Sequence, residues 1–275
     1  MEKKTRKTVL PVKLVIMLLL LSLSFTGCTA KDTATNGVTT TATPVNHITT
    51  PVSSPSQDTT ELQSPDSTVT SEVVQTTPSS PYDREIVYEG AIKDYMLPLE
   101  SFSWERLYDP EFVMIHFTSA VVVKRDDPYN IDHIRDIFIN GEVSIHYIIE
   151  RDGKVRCYIP ENRVAWHAGK GEFADDEKYT NKMNLYSIGI ELVGMGSKED
   201  MSGYMSGKAY DALDDSLKCF TEEQYAALKP LVEYLCCQYG IPMDRAHVIG
   251  HEDYSPKKSD PGDLFDWSRI VDTEK

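Results

Sequence analysis

The chain has 275 residues, of which 40% are hydrophobic and 26% charged, and its formal net charge is −15. That length supports one domain with a sizeable core and leaves sequence to spare. The acidic excess excludes a general nucleic-acid binder and a domain held electrostatically on an anionic surface.

Residues 1–27 read as a processing segment rather than as part of a fold. Lys3, Lys4, Arg6, Lys7 and Lys13 surround the start of an unbroken apolar run, Leu14 to Leu21, which is shorter than a membrane span and fits a secretory signal. "FTGC" follows, with Gly27 directly before Cys28. This resembles a bacterial lipobox, which implies lipidation of Cys28 as the new N-terminus; the alternative is an ordinary secretory signal with an incidental cysteine. Removal of residues 1–27 takes away five basic groups and Glu2, so the mature charge becomes −19. The expectation is an extracytoplasmic protein, attached to the cell membrane through an N-terminal lipid anchor.

More than half of residues 29–82 are Ser, Thr or Pro, and no aromatic precedes Tyr82. Such a stretch buries too little apolar area to offset its ordering entropy. Residues 28–82 are therefore expected to be a disordered linker, spanning about 40 Å as a flexible coil. His47 lies within it and is assigned no role.

Residues 83–275 carry nearly all the aromatics and the periodic sequence. "EFVMIHF" (111–117) reads as a strand with His116 and Met114 on one face and Val113, Ile115 and Phe117 on the other. "NIDHIRDIF" reads as a helix capped by Asn130, with Ile131, Ile134 and Phe138 on one side. "VSIHYIIE" (143–150) is a second strand, with His146 opposite Val143, Ile145, Tyr147 and Ile149, and "RDGK" turns it into "VRCYIP". "YSIGIELVG" (186–194) is a third, with Glu191 opposite Ile188, Ile190 and Leu192. "TEEQYAALKPLVEYLCCQYG" opens on a Thr221/Gln224 capping box and stops at Gly240, and Pro230 is expected to kink it or move its start. Together these elements predict an α/β fold with a central mixed sheet flanked by helices. Of the four cysteines in this part, Cys236 and Cys237 are adjacent and no CxxC pair exists, which argues against a zinc knuckle. A disulfide from Cys219 to that pair is permitted by export, with buried free thiols the favoured reading.

Singly, His116 or Glu191 on the less apolar face of a strand is explained by solvent contact. "GHEDYSPKKSDPG" (250–262) changes that weighing. Pro261 biases Asp260 towards extended backbone, and in an extended segment Lys258 and Asp260 point the same way. His251, after "HVIG", can reach the same point from the end of a β segment. Two imidazoles and a carboxylate make a three-ligand zinc set with a fourth position for water. A carboxylate beside it can move a proton, and an ammonium can stabilise an oxyanion, so the parts of a metal-assisted amide hydrolase are present.

Four blocks in order, "VMIHFTSA", "SIHYIIERDGKVRCYIPENRVAWHAGKG", "NLYSIGIELVG" and "VIGHEDYSPKKSDPGDLFDW", resemble the type 2 N-acetylmuramoyl-L-alanine amidases, whose fold is shared with peptidoglycan recognition proteins. The resemblance runs from about Phe112 to Ile270. It implies Zn²⁺ held by His116, His251 and Asp260, catalysis by Glu191 and Lys258, and a substrate groove lined by Trp166 and His167. His146 is placed near that groove, with packing an equal alternative. Pro256 to Asp260 is one residue shorter than the family's pattern, which keeps Lys257 as a second candidate for the lysine. Residues 195–217 are long for the family and are either a lid over the cleft or a passive insertion. His247 lacks the features of an HExxH site and His133 lies on a polar helix face, so neither is expected to bind metal.

These expectations describe a monomeric zinc amidase that cleaves the lactyl–L-alanine amide of peptidoglycan or of muropeptides. The rivals are a non-catalytic peptidoglycan-binding module, which would be expected to lack a zinc ligand, and a zinc peptidase acting within the stem peptide.

Overall fold

A computed structural model describes residues 82–272. Cys28, the signal, His47 and the linker before Tyr82 lie outside the described residues. Five strands form the main sheet: β2 (Phe112–Phe117), β3 (Tyr147–Ile149), β4 (Val155–Cys157), β6 (Ser187–Leu192) and β7 (Val248–Gly250). Their order is β4-β3-β6-β2-β7, antiparallel between β3 and β4 and parallel elsewhere, so the sheet is mixed as expected. A two-stranded ribbon, β1 (Ser103–Glu105) against β5 (Arg163–Ala165), was not legible in the sequence.

The period-two reading of β2 and β6 holds. Val113, Ile115, Phe117, Ile188, Ile190 and Leu192 share one core cluster, whereas Phe112 and Met114 belong to another on the opposite face. All six residues of β2 are buried, because β2 lies between two parallel neighbours and both its faces are covered. The alternation fails before β3. Ile145 packs with Ile148, on the face opposite Tyr147 and Ile149, because the ladder starts only at Tyr147 and residues 143–146 are not extended by pairing.

The first face is covered by a long helix, Glu222–Tyr239, with Leu228, Leu231, Val232 and Leu235 fully buried. Each such side chain contributes about 1.5–3 kcal/mol through burial. The Thr221/Gln224 capping box is present, and Gly240 ends the helix at φ 67. Gln224 does more than cap: its buried Nε2 donates to Ile149 O and Val193 O, tying the helix to the ends of β3 and β6. Pro230 neither moves the start nor ends the helix. It is exposed, and the carbonyl it deprives of a donor is that of exposed Ala226, where water can replace the bond. On the other face a second helix, Ile131–Gly141, buries Ile134 and Phe138, with Asn130 capping it through Asp132 N and His133 N. In chain order these two helices are α1 (131–141) and α2 (222–239), and the short helix His251–Tyr254 is α3. No helix among the described residues is long and apolar enough to cross a membrane.

The four cysteines among the described residues are free thiols; Cys157 and Cys236 are buried, Cys219 and Cys237 exposed.

Candidate metal centre

The three parallel strands β6, β2 and β7 bring their C-terminal ends to one edge, where open parallel sheets place ligands. His116 and Glu191 are register partners there, and Gly250, paired with Ile115, ends β7 and opens α3 with His251. Asp260 arrives from the loop after α3, whose Glu252 N–H donates to Asp260 O. His116, His251 and Asp260 are each at most 6% exposed.

Their ligand atoms form a close triangle. His116 Nδ1 lies 2.8 Å from Asp260 Oδ2 and 3.1 Å from His251 Nδ1, and His251 Nδ1 lies 3.1 Å from Asp260 Oδ2. The outer nitrogens fix the tautomers. His251 Nε2 is 2.9 Å from Ala168 O, an acceptor only, so Nε2 carries the proton. Ser187 Oγ donates to Met183 O (2.7 Å) and so accepts from His167 Nε2 (3.2 Å). His167 Nδ1 is then an acceptor, and His116 Nε2–H donates to it at 3.0 Å. Burial holds His167 well below the usual imidazole range and pulls His116 down to about 4, so both rings are neutral near pH 7. In the neutral tautomers three lone-pair atoms face one another with no hydrogen between them. Three acceptors this close repel unless a cation lies among them. Their separations approach the roughly 3.3 Å edge of a tetrahedron with bonds of about 2.0–2.1 Å, the size of a zinc site. The donor set fits zinc.

A cavity of about 200 Å³ opens over this triangle. Its polar part is lined by His116, Glu191, His251, Lys258 and Asp260, and its apolar part by residues of α1, among them Ile134 and Phe138, with Val143 and Trp166. Glu191 is half-buried, and its Oε2 is sealed from solvent without a hydrogen-bond partner. Burial, reinforced by Asp260 and opposed by Lys258, pushes its carboxyl well above the usual range, which suits a group that takes and returns a proton. Lys258, rather than Lys257, lines the cavity.

Trp166 and His167 both reach the cavity. His167 has a second task that sequence reasoning missed, the orientation of His116. Its ring lies over Gly189, where a Cβ would come within 2.7 Å of the imidazole, so β6 needs glycine at this position. Asn184 Oδ1 accepts from His167 N–H and Ala168 N–H, positioning the orienters of both histidine ligands; the isolated polar residue ahead of "YSIGIELVG" was its only signal.

His146 is not brought to the cavity. It is fully buried, accepts from Gly189 N–H at Nδ1 (3.0 Å), and meets Arg163 O at Nε2 (3.1 Å). With both nitrogens engaged it packs the sheet and offers nothing to a ligand. Beside it lies buried Arg106, unmarked in the sequence, whose guanidinium donates to Glu161 O, Leu185 O and Arg163 O and ties β5 to the approach of β6. His247 pairs with Asp244 Oδ1 at 2.7 Å and stacks on Phe112, away from the triangle. His133 lies beside Asp127 O on the outer side of α1.

The family described as N-acetylmuramoyl-L-alanine amidase matches residues 106–263. The 1,6-anhydro-N-acetylmuramyl-L-alanine amidase AmpD of Haemophilus influenzae is 36% identical over 135 residues, 48% of this chain and 59% of that protein. AmpD of Escherichia coli is 34% identical over 129 residues, 46% of this chain and 56% of that protein. The chain thus spans less than two thirds of the length of these curated relatives. The solved complex of Escherichia coli AmiD with anhydro-N-acetylmuramic acid-L-Ala-D-γ-Glu-L-Lys covers 68% of this chain and 64% of that chain, at 24% identity and a TM-score of 0.45.

Proposed function

This chain belongs to the N-acetylmuramoyl-L-alanine amidase family, and from that premise we propose that it is a zinc-dependent amidase hydrolysing the amide between the lactyl group of N-acetylmuramic acid and L-alanine. The observation that carries this reading is the triangle of His116 Nδ1, His251 Nδ1 and Asp260 Oδ2, with the unpartnered Glu191 carboxyl on the same cavity. Both named relatives are amidases of anhydromuramyl-L-alanine, which supports a muropeptide or peptidoglycan substrate here.

His116, His251 and Asp260 would hold the ion, which when bound polarises an amide carbonyl and acidifies a water. His167 and Ala168 O keep the two imidazoles in the ligand tautomer. Glu191 takes the proton of the attacking water and returns it to the leaving amine of L-alanine. Lys258 offsets the negative charge that develops on the acyl oxygen. Trp166 and the apolar residues of α1 receive the sugar and exclude water from the reacting amide. All three ligands of the zinc set are intact, which favours an enzyme over a binding module.

The basic residues before Lys13, the run Leu14–Leu21 and "TGC" support export and lipidation at Cys28. A monomer on a membrane tether, with a Ser/Thr/Pro-rich linker of about 40 Å, would work the wall outside the cytoplasmic membrane.

The test is mass analysis of products from purified peptidoglycan and from a soluble muropeptide. The amidase reading predicts free L-alanine amino ends and intact lactyl groups. Cleavage within the stem peptide would replace it with the peptidase reading, and binding without cleavage would replace it with the binding-module reading.

A further inference from the structure

Residues 195–217 are packed into the core and bring one residue, Tyr204, to the cavity. Met195 and Met201 are fully buried, Met205 and Tyr210 nearly so, and all four join the cluster under α2. Tyr210 also donates its hydroxyl to Gly196 O, closing the segment on itself. The segment is clasped to the loop that carries Asp260. Asp200 Oδ2 accepts from Ser197 N–H (2.7 Å) within the segment and from Asp263 N–H (3.1 Å) across to the loop. Asp200 O accepts from Ser259 Oγ at 2.9 Å. Ser259 and Asp263 flank Asp260 on either side, so two hydrogen bonds set the segment's position against a metal ligand. Gly262 permits the approach: its φ is +74, and a Cβ there would lie 2.3 Å from Asp200 Oδ2.

The clasp has one product inside the cleft. Tyr204 ends the short turn Asp200–Gly203, its N–H bonded to Met201 O at 2.9 Å, and its ring rests on the buried cluster. Its side chain lines the same cavity as Glu191, Lys258 and Asp260. None of the described residues bonds its hydroxyl, which is not among the buried orphan atoms and so stands open to the cavity. A phenol is protonated at neutral pH, and its O–H is a donor. Sugar and stem peptide both offer acceptor oxygens, but Trp166 and the apolar residues of α1 suit the sugar's ring face, which leaves the peptide side of the amide to Tyr204.

We propose that Tyr204 is a substrate-binding residue whose hydroxyl donates a hydrogen bond to an acceptor oxygen of the stem peptide beyond L-alanine, with the Asp200 clasp holding it in place. This rests on the amidase reading. It makes residues 195–217 a determinant of stem-peptide specificity, a role no periodic or family signal in the sequence marks.

The test compares the full chain with Tyr204→Phe, which keeps the ring and its packing and removes only the O–H. The substrates are muramoyl-L-alanine and a muramoyl tripeptide, with KM and kcat measured for each and the Kd of the tripeptide measured separately. Loss of one hydrogen bond to substrate predicts kcat/KM on the tripeptide lower by about 3- to 10-fold, mostly through KM. Little change is expected on muramoyl-L-alanine, and zinc content and Tm should match wild type. Equal kcat/KM on the tripeptide overturns the proposal, as does an equal loss on both substrates or a loss accompanied by released zinc. If wild type cleaves neither substrate, the amidase reading fails on its own. The tripeptide Kd then decides Tyr204: weaker binding in the variant upholds the contact, and equal binding overturns it.

Discussion

His167→Phe is the sharpest test of the tautomer relay. Phenylalanine keeps a planar ring over Gly189 but cannot accept the proton of His116 Nε2, 3.0 Å away. Without an ion that contact is a bond between neutral groups, contributing about 1 kcal/mol. A cation on Nδ1 draws charge from the imidazole and makes Nε2–H a stronger donor, so the same contact approaches the charge-assisted range of about 1.5–3 kcal/mol. Only the difference, about 0.5–2 kcal/mol, is felt as metal affinity. That corresponds to roughly 2- to 30-fold weaker zinc binding, which overlaps the roughly 10- to 100-fold typical of groups that orient metal ligands. The assay is competition for zinc against a chromophoric chelator, without substrate, so that the place of His167 on the cavity wall does not confuse the reading. Ser187→Ala should weaken zinc less, because it removes the acceptor of His167 Nε2–H and acts one bond further out. Zinc affinity in His167→Phe equal to wild type would refute the relay.

Glu191→Gln should leave zinc content and Tm unchanged and lower turnover by roughly 10²- to 10⁴-fold; near wild-type turnover would remove Glu191 from proton transfer. Cys28→Ser should shift the protein out of the membrane fraction or leave its signal uncleaved, and unchanged fractionation and processing would exclude the lipid anchor. Glu161 gives a pH signature far from the cavity. It is fully buried, and burial raises its carboxyl above the ordinary 4.5, although the hydroxyls of Tyr147, Tyr234 and Tyr239 donate to it. The folded state therefore binds this proton more tightly than the unfolded one. Its contribution is fully present below about pH 4.5 and is lost as pH rises through the raised value. Glu161→Gln should show a shallower fall of Tm across that window, and parallel Tm–pH curves for variant and wild type would contradict the shift.

Local pattern was enough to read the strands that carry the site and the caps that start the helices. His116 and Glu191 each stand on the less apolar face of a strand, and a side chain's face follows from its backbone period alone. Asn130, Thr221 and Gly240 announce helix ends because capping is satisfied within a few residues. Local signals did not separate His146 from His167, since each is a histidine in an apolar run. Packing did: Gly189 N–H and Arg163 O engage one, while His116 and Ser187 engage the other. The fate of Pro230 was likewise tertiary, because burial of Leu231, Val232 and Leu235 holds the helix through it. Arg106 and Tyr204 carry no periodic mark at all, and each acquires its part from what surrounds it. The sequence by itself determined which way side chains point along their own elements. Which groups meet was decided by the sheet, which closes His116 on Asp260 across 144 residues, a distance no short-range pattern spans.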